Sequence, residues 1–393
     1  MAISRRSFVA ALGGTGALGA LTWRGHEQLL AQAPAQAPLQ GAAARRADRL
    51  LAARPGMVRL DSNENPYGAG ERVFGVIRSR LSASNRYPVK SEDDLAAAIA
   101  AVHGVRPENV ILGTGSGELL RAAVSAFCSR DRALVAPDPT FEAPANWAKF
   151  IGAPVVAPRV DAELRLDLDA MADGGRNAGL VYLCNPNNPT GVVVTKQEIK
   201  QLLDGLPAGM PVLIDEAYHH YVDDPNYATS MPYVNEGRPV VVARTFSKIA
   251  AMAAMRIGYA VAPTELLQKM RPYSAGSVNV LARYGAAQAL KDKAAMEEAK
   301  RKTNATRNKT MADLKALGYE VIPSQANFFM VGLRRDVQPV IAAFREEGVL
   351  VGRPFPPMTQ HLRVSVGVPE EMDRFMVAFK KVMATPVTTQ QQR

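Results

Sequence analysis

Short apolar runs recur along this chain, each closing on a polar or glycine-rich turn and separated from the next by a stretch with helical spacing. The runs at 110–113, 133–136, 154–156, 180–184, 212–214, 240–243 and 258–262 are apolar throughout rather than alternating, as in strands covered on both faces. Residues 91–103 open on Ser91 and three acids and then turn apolar, which predicts a helix. A glycine-rich turn is expected at 114–118 and a helix at 119–128. Further on, a helix-forming stretch over 280–318 leads to strand-like runs at 319–322, 327–331, 349–351 and 362–366, with a helix at 337–348. The alternation predicts an α/β fold: a mainly parallel, seven-stranded sheet in a large domain, followed by a smaller α+β domain. Ligands on such sheets gather beyond the carboxyl ends of the strands.

Length and charge refine this picture. A chain of 393 residues exceeds one core and predicts at least two domains. The net charge of +10 raises the question of a polyanionic partner, but the first 54 residues hold seven arginines against Glu27 and Asp48. With half the excess in that extension and no basic stripe with interleaved aromatics in the body, the sequence argues against nucleic-acid binding. The extension itself opens Ser-Arg-Arg-Ser-Phe-Val-Ala, followed by a small, apolar run at 11–21, the pattern of a twin-arginine export signal. That run is too short and glycine-rich for a stable membrane span. We therefore expect a signal at 1–37, a linker or arm at 38–56, passage of the folded protein through the twin-arginine translocation machinery, and a periplasmic location. Cys128 and Cys184 are too few for a disulfide framework and are expected to pack as thiols.

The chemistry concentrates at three strand ends. Gly-Leu-Val-Tyr-Leu-Cys runs into Asn-Pro-Asn-Asn-Pro-Thr-Gly (185–191), Val-Leu-Ile-Asp-Glu-Ala-Tyr (212–218) ends in an acid and a phenol, and Arg-Thr-Phe-Ser-Lys (244–248) delivers an amine. Lys248 is a candidate Schiff-base former. An amide, an acid, a phenol and an amine are what pyridoxal phosphate needs, with its aldehyde, ring nitrogen, phenolic oxygen and phosphate. With Asn-Glu-Asn-Pro-Tyr-Gly (63–68) and Asn-Arg-Tyr-Pro (85–88), the sequence resembles the fold-type I aminotransferases, most closely the histidinol-phosphate aminotransferase-like group, from about Val58 to Met383.

The resemblance implies a pyridoxal-phosphate-dependent class I/II aminotransferase that works in two half reactions, with glutamate a reasonable partner. It makes Lys248 the amine that bonds the cofactor and then moves a proton, Asp215 the partner of the ring nitrogen, and Tyr218 and Asn188 donors to the phenolic oxygen. Asn185 and Asn187 read as turn residues. Phe141 takes the place of the ring that stacks on the cofactor, where tyrosine is common in the group. The phosphate is expected at Gly115, Ser116 and Gly117, where a turn opens a helix, with Thr245, Ser247 and Arg256 beside it. Tyr87 would reach the phosphate of a second subunit, which implies a homodimer with shared sites. On the substrate side, Arg363 would hold the α-carboxylate with Asn327 positioning it, Arg353 would meet a second anionic group, and Asn65 and Tyr67 would line the mouth. The segment 57–88 would pack on a small domain at 301–385, with the large domain at 89–300 and a tail at 386–393. His219 and His220 lack a third ligand at metal spacing and should diverge on a strand, so no metal is expected. A lyase or decarboxylase on the same scaffold is the alternative enzyme, and a periplasmic binding protein for small amino compounds the non-catalytic one.

Overall fold

The computed structural model describes residues 56–87 and 94–384. The expected export signal, the arm apart from Gly56, and the tail lie outside the described residues. The chain runs β1 (Val58–Leu60), α1 (Gly70–Ser79), α2 (Asp94–His103), β2 (Val110–Gly113), α3 (Ser116–Phe127), β3 (Ala133–Val135), α4 (Ala143–Phe150) and β4 (Val155–Val156). Next come α5 (Leu168–Gly175), β5 (Ala178–Cys184), α6 (Lys196–Gly205), β6 (Val212–Asp215), α7 (Met231–Asn235), β7 (Val240–Thr245) and β8 (Gly258–Val261). Then α8 (Thr264–Met270), α9 (Val280–Lys291) and α10 (Lys293–Ala316) lead to β9 (Phe328–Gly332), α11 (Val337–Glu346), β10 (Val349–Val351), β11 (His361–Ser365) and α12 (Pro369–Ala384).

Seven strands form one sheet in the order β2-β8-β7-β6-β5-β3-β4, with β8 antiparallel to both neighbours and every other pair parallel. The uninterrupted apolar runs have a direct cause. Val181 and Leu183 of β5, Val212 and Ile214 of β6, and Val240 and Val242 of β7 enter the core on one face, while Leu180, Tyr182, Leu213, Val241 and Ala243 enter the core on the other. Each of these side chains removes apolar surface from water worth about 1.5–3 kcal/mol for a Val, Leu or Ile. Cys184 pairs with Asp215, so β5 and β6 end level, and Asp215 pairs with Ala243, two residues before the end of β7. The loops carrying Asn188, Tyr218 and Lys248 therefore leave the sheet side by side.

After α10, β9 and β11 pair antiparallel, and β10 pairs in parallel with β1. A third core gathers Val58, Leu60, Phe329, Val331, Phe344, Phe375 and Phe379. Residues from both ends of the described chain thus share one apolar cluster.

Several elements depart from the pattern. The helix expected at 119–128 starts at Ser116, because Gly115 turns the chain with φ 77° immediately before it and leaves Ser116 and Gly117 inside the first turn. The stretch 280–318 breaks at Asp292, whose side chain accepts from the Ala295 amide and starts α10 anew. Only Val321 of the run 319–322 joins a ladder, through a single bridge to Val331, and Pro323 offers no amide to extend it. His219 and His220 lie in a 3-10 turn, His219–Tyr221, not a strand, and their ring centroids are 3.7 Å apart rather than diverging. Both cysteines are free and buried, and burial raises the Cys128 thiol to about 12. Among the described residues no helix is long and apolar enough to cross a membrane.

Candidate active site

Lys248 lies three residues beyond β7, partly buried, its Nζ donating to the Ser62 carbonyl at 3.2 Å and standing 5.6 Å from the centre of the Tyr218 ring. Burial and then the Arg363 guanidinium disfavour its charged form, and its pKa falls to about 8 although Glu64 and Asp215 oppose the shift. Asp215 closes β6 and is buried, with one oxygen accepting from the Ala217 amide at 3.1 Å. Burial raises its carboxyl to about 7, against the pull of that amide and of Lys248. Tyr218 is buried edge-on to Phe328, and burial raises its phenol above its usual value. Its oxygen accepts from Asn63 Nδ2 at 3.0 Å, which leaves its own proton to be donated elsewhere.

A second corner is built around glycine. The turn before α3 has no side-chain cap, so its first amides stay available to an anion. A Cβ on Gly115 would stand 2.4 Å from Arg256 Nη2, and one on Gly258 would stand 2.5 Å from the Ser116 amide. Glycine at both positions lets the guanidinium and β8 close on the turn. Arg256 Nη1 is anchored on the Ala253 carbonyl at 2.7 Å, while Thr245 Oγ1 donates to Ser247 Oγ at 2.8 Å beside it.

The third corner joins β11 to the segment after β1. Arg363 Nη1 donates to Asn188 Oδ1 and Nη2 to the Asp61 carbonyl, both at 2.8 Å, while its buried Nε has no partner. Asn327 Nδ2 bonds the carbonyls of Asn63 and Glu64 at 3.1 and 3.2 Å, and its Oδ1 is likewise unpaired. Asn65 uses its amide on the Ile249 carbonyl and on its own strap through the Tyr67 amide. The segment 61–67 is thereby strapped across the site, and the Tyr67 ring lies under Lys302.

Other expected residues fall further out. Phe141 is partly buried against the core, directly before Glu142, whose carboxylate pairs with Arg353. Asn185 and Asn187 spend their amides on the Val194 and Pro139 carbonyls, holding the turn around Asn188. Tyr87 is 91% exposed and touches none of these groups. Sequence reasoning passed over Asn63, Ser365 and Glu142. Asn63 adopts φ 53° and is fixed through Ser365 Oγ, which accepts from its amide at 2.8 Å and donates to its Oδ1 at 3.1 Å. Ser365 was legible, because a residue two places beyond Arg363 on a strand shares its face.

These residues fit pyridoxal phosphate: an amine shifted toward neutrality, a buried acid, a glycine cradle against an arginine, and a second arginine with an unpaired buried donor. Fold and site together define a fold-type I pyridoxal-phosphate-dependent transferase. The chain belongs to the family Aminotransferase class I and II, which residues 55–379 match. It is similar to histidinol-phosphate aminotransferase 2 of Methylococcus capsulatus, 34% identical over 83% of this chain and 90% of the relative. It is also similar to histidinol-phosphate aminotransferase of Moorella thermoacetica, 33% identical over 84% of this chain and 86% of the relative. The crystal structure of histidinol-phosphate aminotransferase from Sinorhizobium meliloti in complex with pyridoxal-5'-phosphate shares the fold, with a TM-score of 0.80 and 24% identity over 91% of this chain and 96% of that one. This protein is an aminotransferase, and pyridoxal phosphate is its cofactor.

Proposed function

We propose that the protein is an exported aminotransferase that moves an amino group between an amino acid or amine and an oxo acid, with Lys248 as the amine that holds the cofactor and carries the proton. The observation that supports this most is that Asp215, Tyr218 and Lys248 stand at or just beyond the ends of the adjacent parallel strands β6 and β7, with Lys248 Nζ 5.6 Å from the centre of the Tyr218 ring and its pKa lowered by burial to about 8. An amine so shifted is a nucleophile and a proton carrier near neutral pH. When bound, the cofactor supplies an aldehyde for an amine and a ring that draws electrons from the substrate α carbon.

The chain's own groups do the rest. Asp215 would meet the ring nitrogen, and a cation there would favour its carboxylate despite the burial. Tyr218, already accepting from Asn63 Nδ2, directs its proton to the phenolic oxygen, as does the Asn188 amide. Phe141 would lie against the ring. The α3 amides of Ser116 and Gly117, on the turn made by Gly115, would hold the phosphate with Arg256, Thr245 and Ser247. Arg363 takes the substrate carboxylate through its unpaired Nε and one terminal nitrogen, while Asn327 holds the strap in place. The strap with Asn65 and Tyr67 keeps water from that side. The exposed Tyr87 reaches the site of a second copy in a homodimer.

Export by the twin-arginine route delivers a folded, loaded enzyme to the periplasm and separates it from the cytoplasmic pool of histidinol phosphate, so an amine met outside the cytoplasm is the better substrate. One experiment tests site and location separately. Protein recovered from the periplasmic fraction and treated with borohydride carries the cofactor mass on the peptide containing Lys248. An unmodified peptide refutes the site, and recovery from the cytoplasm alone refutes export.

A further inference from the structure

We propose that the Glu142–Arg353 ion pair makes this a site for amino compounds whose side chain bears no second negative charge, and that Glu142 is the residue that decides it. This rests on the reading of Arg363 as the carboxylate holder. The Arg353 guanidinium lies 4.2 Å from the centre of the Phe355 ring and the Arg363 guanidinium 4.5 Å from it, so two cations share one phenyl group. Alone, such a pair would attract a substrate with two anionic groups. The Glu142 carboxylate instead accepts from Arg353 Nη2, and both partners remain partly exposed, at 43% and 32% of their side-chain surface. Its charge reaches further: of the two, Glu142 favours and Arg353 disfavours the charged form of Arg363. Two guanidiniums and one carboxylate leave a single positive charge, which matches one carboxylate.

A second anion could displace Glu142 from Arg353, since opening an exposed pair costs little. The deciding cost is the carboxylate left behind. Glu142 is the residue just before α4, and its carbonyl accepts from the Asn146 amide at 2.8 Å, so its Cα is fixed and the freed carboxylate swings only within the reach of its own side chain. The displaced carboxylate stays close to the incoming anion and repels it. This selectivity opposes the expectation, drawn from the resemblance, that glutamate is a good partner.

L-Glutamate and L-glutamine have the same shape and differ in that charge. The purified holoenzyme is mixed with each, and the single-turnover loss of cofactor absorbance is followed; unreactive glutarate and valerate are titrated calorimetrically as probes that need no turnover. The expected result is that glutamine outpaces glutamate and valerate binds at least as tightly as glutarate. In Glu142→Gln the preference moves toward glutamate and glutarate by about tenfold. In Arg353→Gln, where the carboxylate is uncompensated, it moves the other way. A wild-type preference for glutamate and glutarate, or a Glu142→Gln protein with unchanged ratios, overturns the proposal. Absence of any absorbance change with every amino acid tried overturns the aminotransferase site itself, which is a different failure.

Discussion

Asp215 and Glu216 are adjacent at the end of β6, yet they meet opposite fates. Glu216 is 1% exposed, and its oxygens accept from Arg244 Nε and Nη2 at 3.0 and 2.7 Å, from Thr229 Oγ1 at 2.8 Å and from the Ser230 amide at 2.6 Å. Asp215 is equally deep, accepts from the Ala217 amide, and has no arginine bonded to it. The pleat sends the two side chains to opposite faces of the chain. One side offers a complete set of donors, and the other leaves a carboxylate short of them, which on the proposed reading meets the cofactor. Full satisfaction makes a strut; partial satisfaction makes a group that can take and give charge.

Breaking the strut should have the largest effect. Arg244→Met strands a buried carboxylate and is expected to cost about 3–5 kcal/mol of stability, read as a lowered denaturant midpoint in the cofactor-free protein. Asp215→Asn should leave the fold near wild-type stability at low pH while weakening cofactor retention. If the two substitutions had equal effects on stability, the contrast would collapse.

The pH dependence sharpens the comparison. Asp215 is raised to about 7 in the folded protein, so the folded state binds more protons than the unfolded state between the ordinary carboxyl range and about 7. Stability of the cofactor-free protein should therefore fall as pH rises through that window, by roughly 2–4 kcal/mol for this group. Thermal melts across pH should show the slope in wild type and lose it in Asp215→Asn.

The smallest effect falls on Lys248, whose pKa of about 8 is held up in part by Asp215. In Asp215→Asn the pH at which cofactor uptake by the empty protein reaches half its maximum rate should drop by roughly half a unit to one unit. Glu216→Gln should leave that midpoint nearer to wild type, since Glu216 is committed to Arg244 on the other side. A shift of equal size in both variants would show that the two acids are not electrically distinct.

Much of this arrangement can be read along the chain, and the exceptions share a cause. Val110–Gly113 and Val349–Val351 have the bounds that their apolar runs predict, because a buried strand must be apolar along its length. The break at Asp292 was hidden, since helix propensity runs unbroken across it and only the capping bond to Ala295 separates α9 from α10. The facing rings of His219 and His220 were hidden because a 3-10 turn replaced the assumed strand. Asn63 stood in a motif that drew attention to Asn65, but its bond to Tyr218 joins residues 155 positions apart.

The sequence by itself determined the sheet, the order of its strands along the chain, the amide, the acid with the phenol, and the amine at three strand ends, and the glycine turn that opens α3. These follow from local rules: burial on both faces, backbone angles open to glycine, and chemistry placed where strands end. Only the tertiary structure decided which charges are quenched and which stay available, joining Glu216 to Arg244, Glu142 to Arg353, and Asn63 to both Tyr218 and Ser365. Ionic and hydrogen-bond partners are chosen by distance in space, and spacing along a chain carries no measure of that.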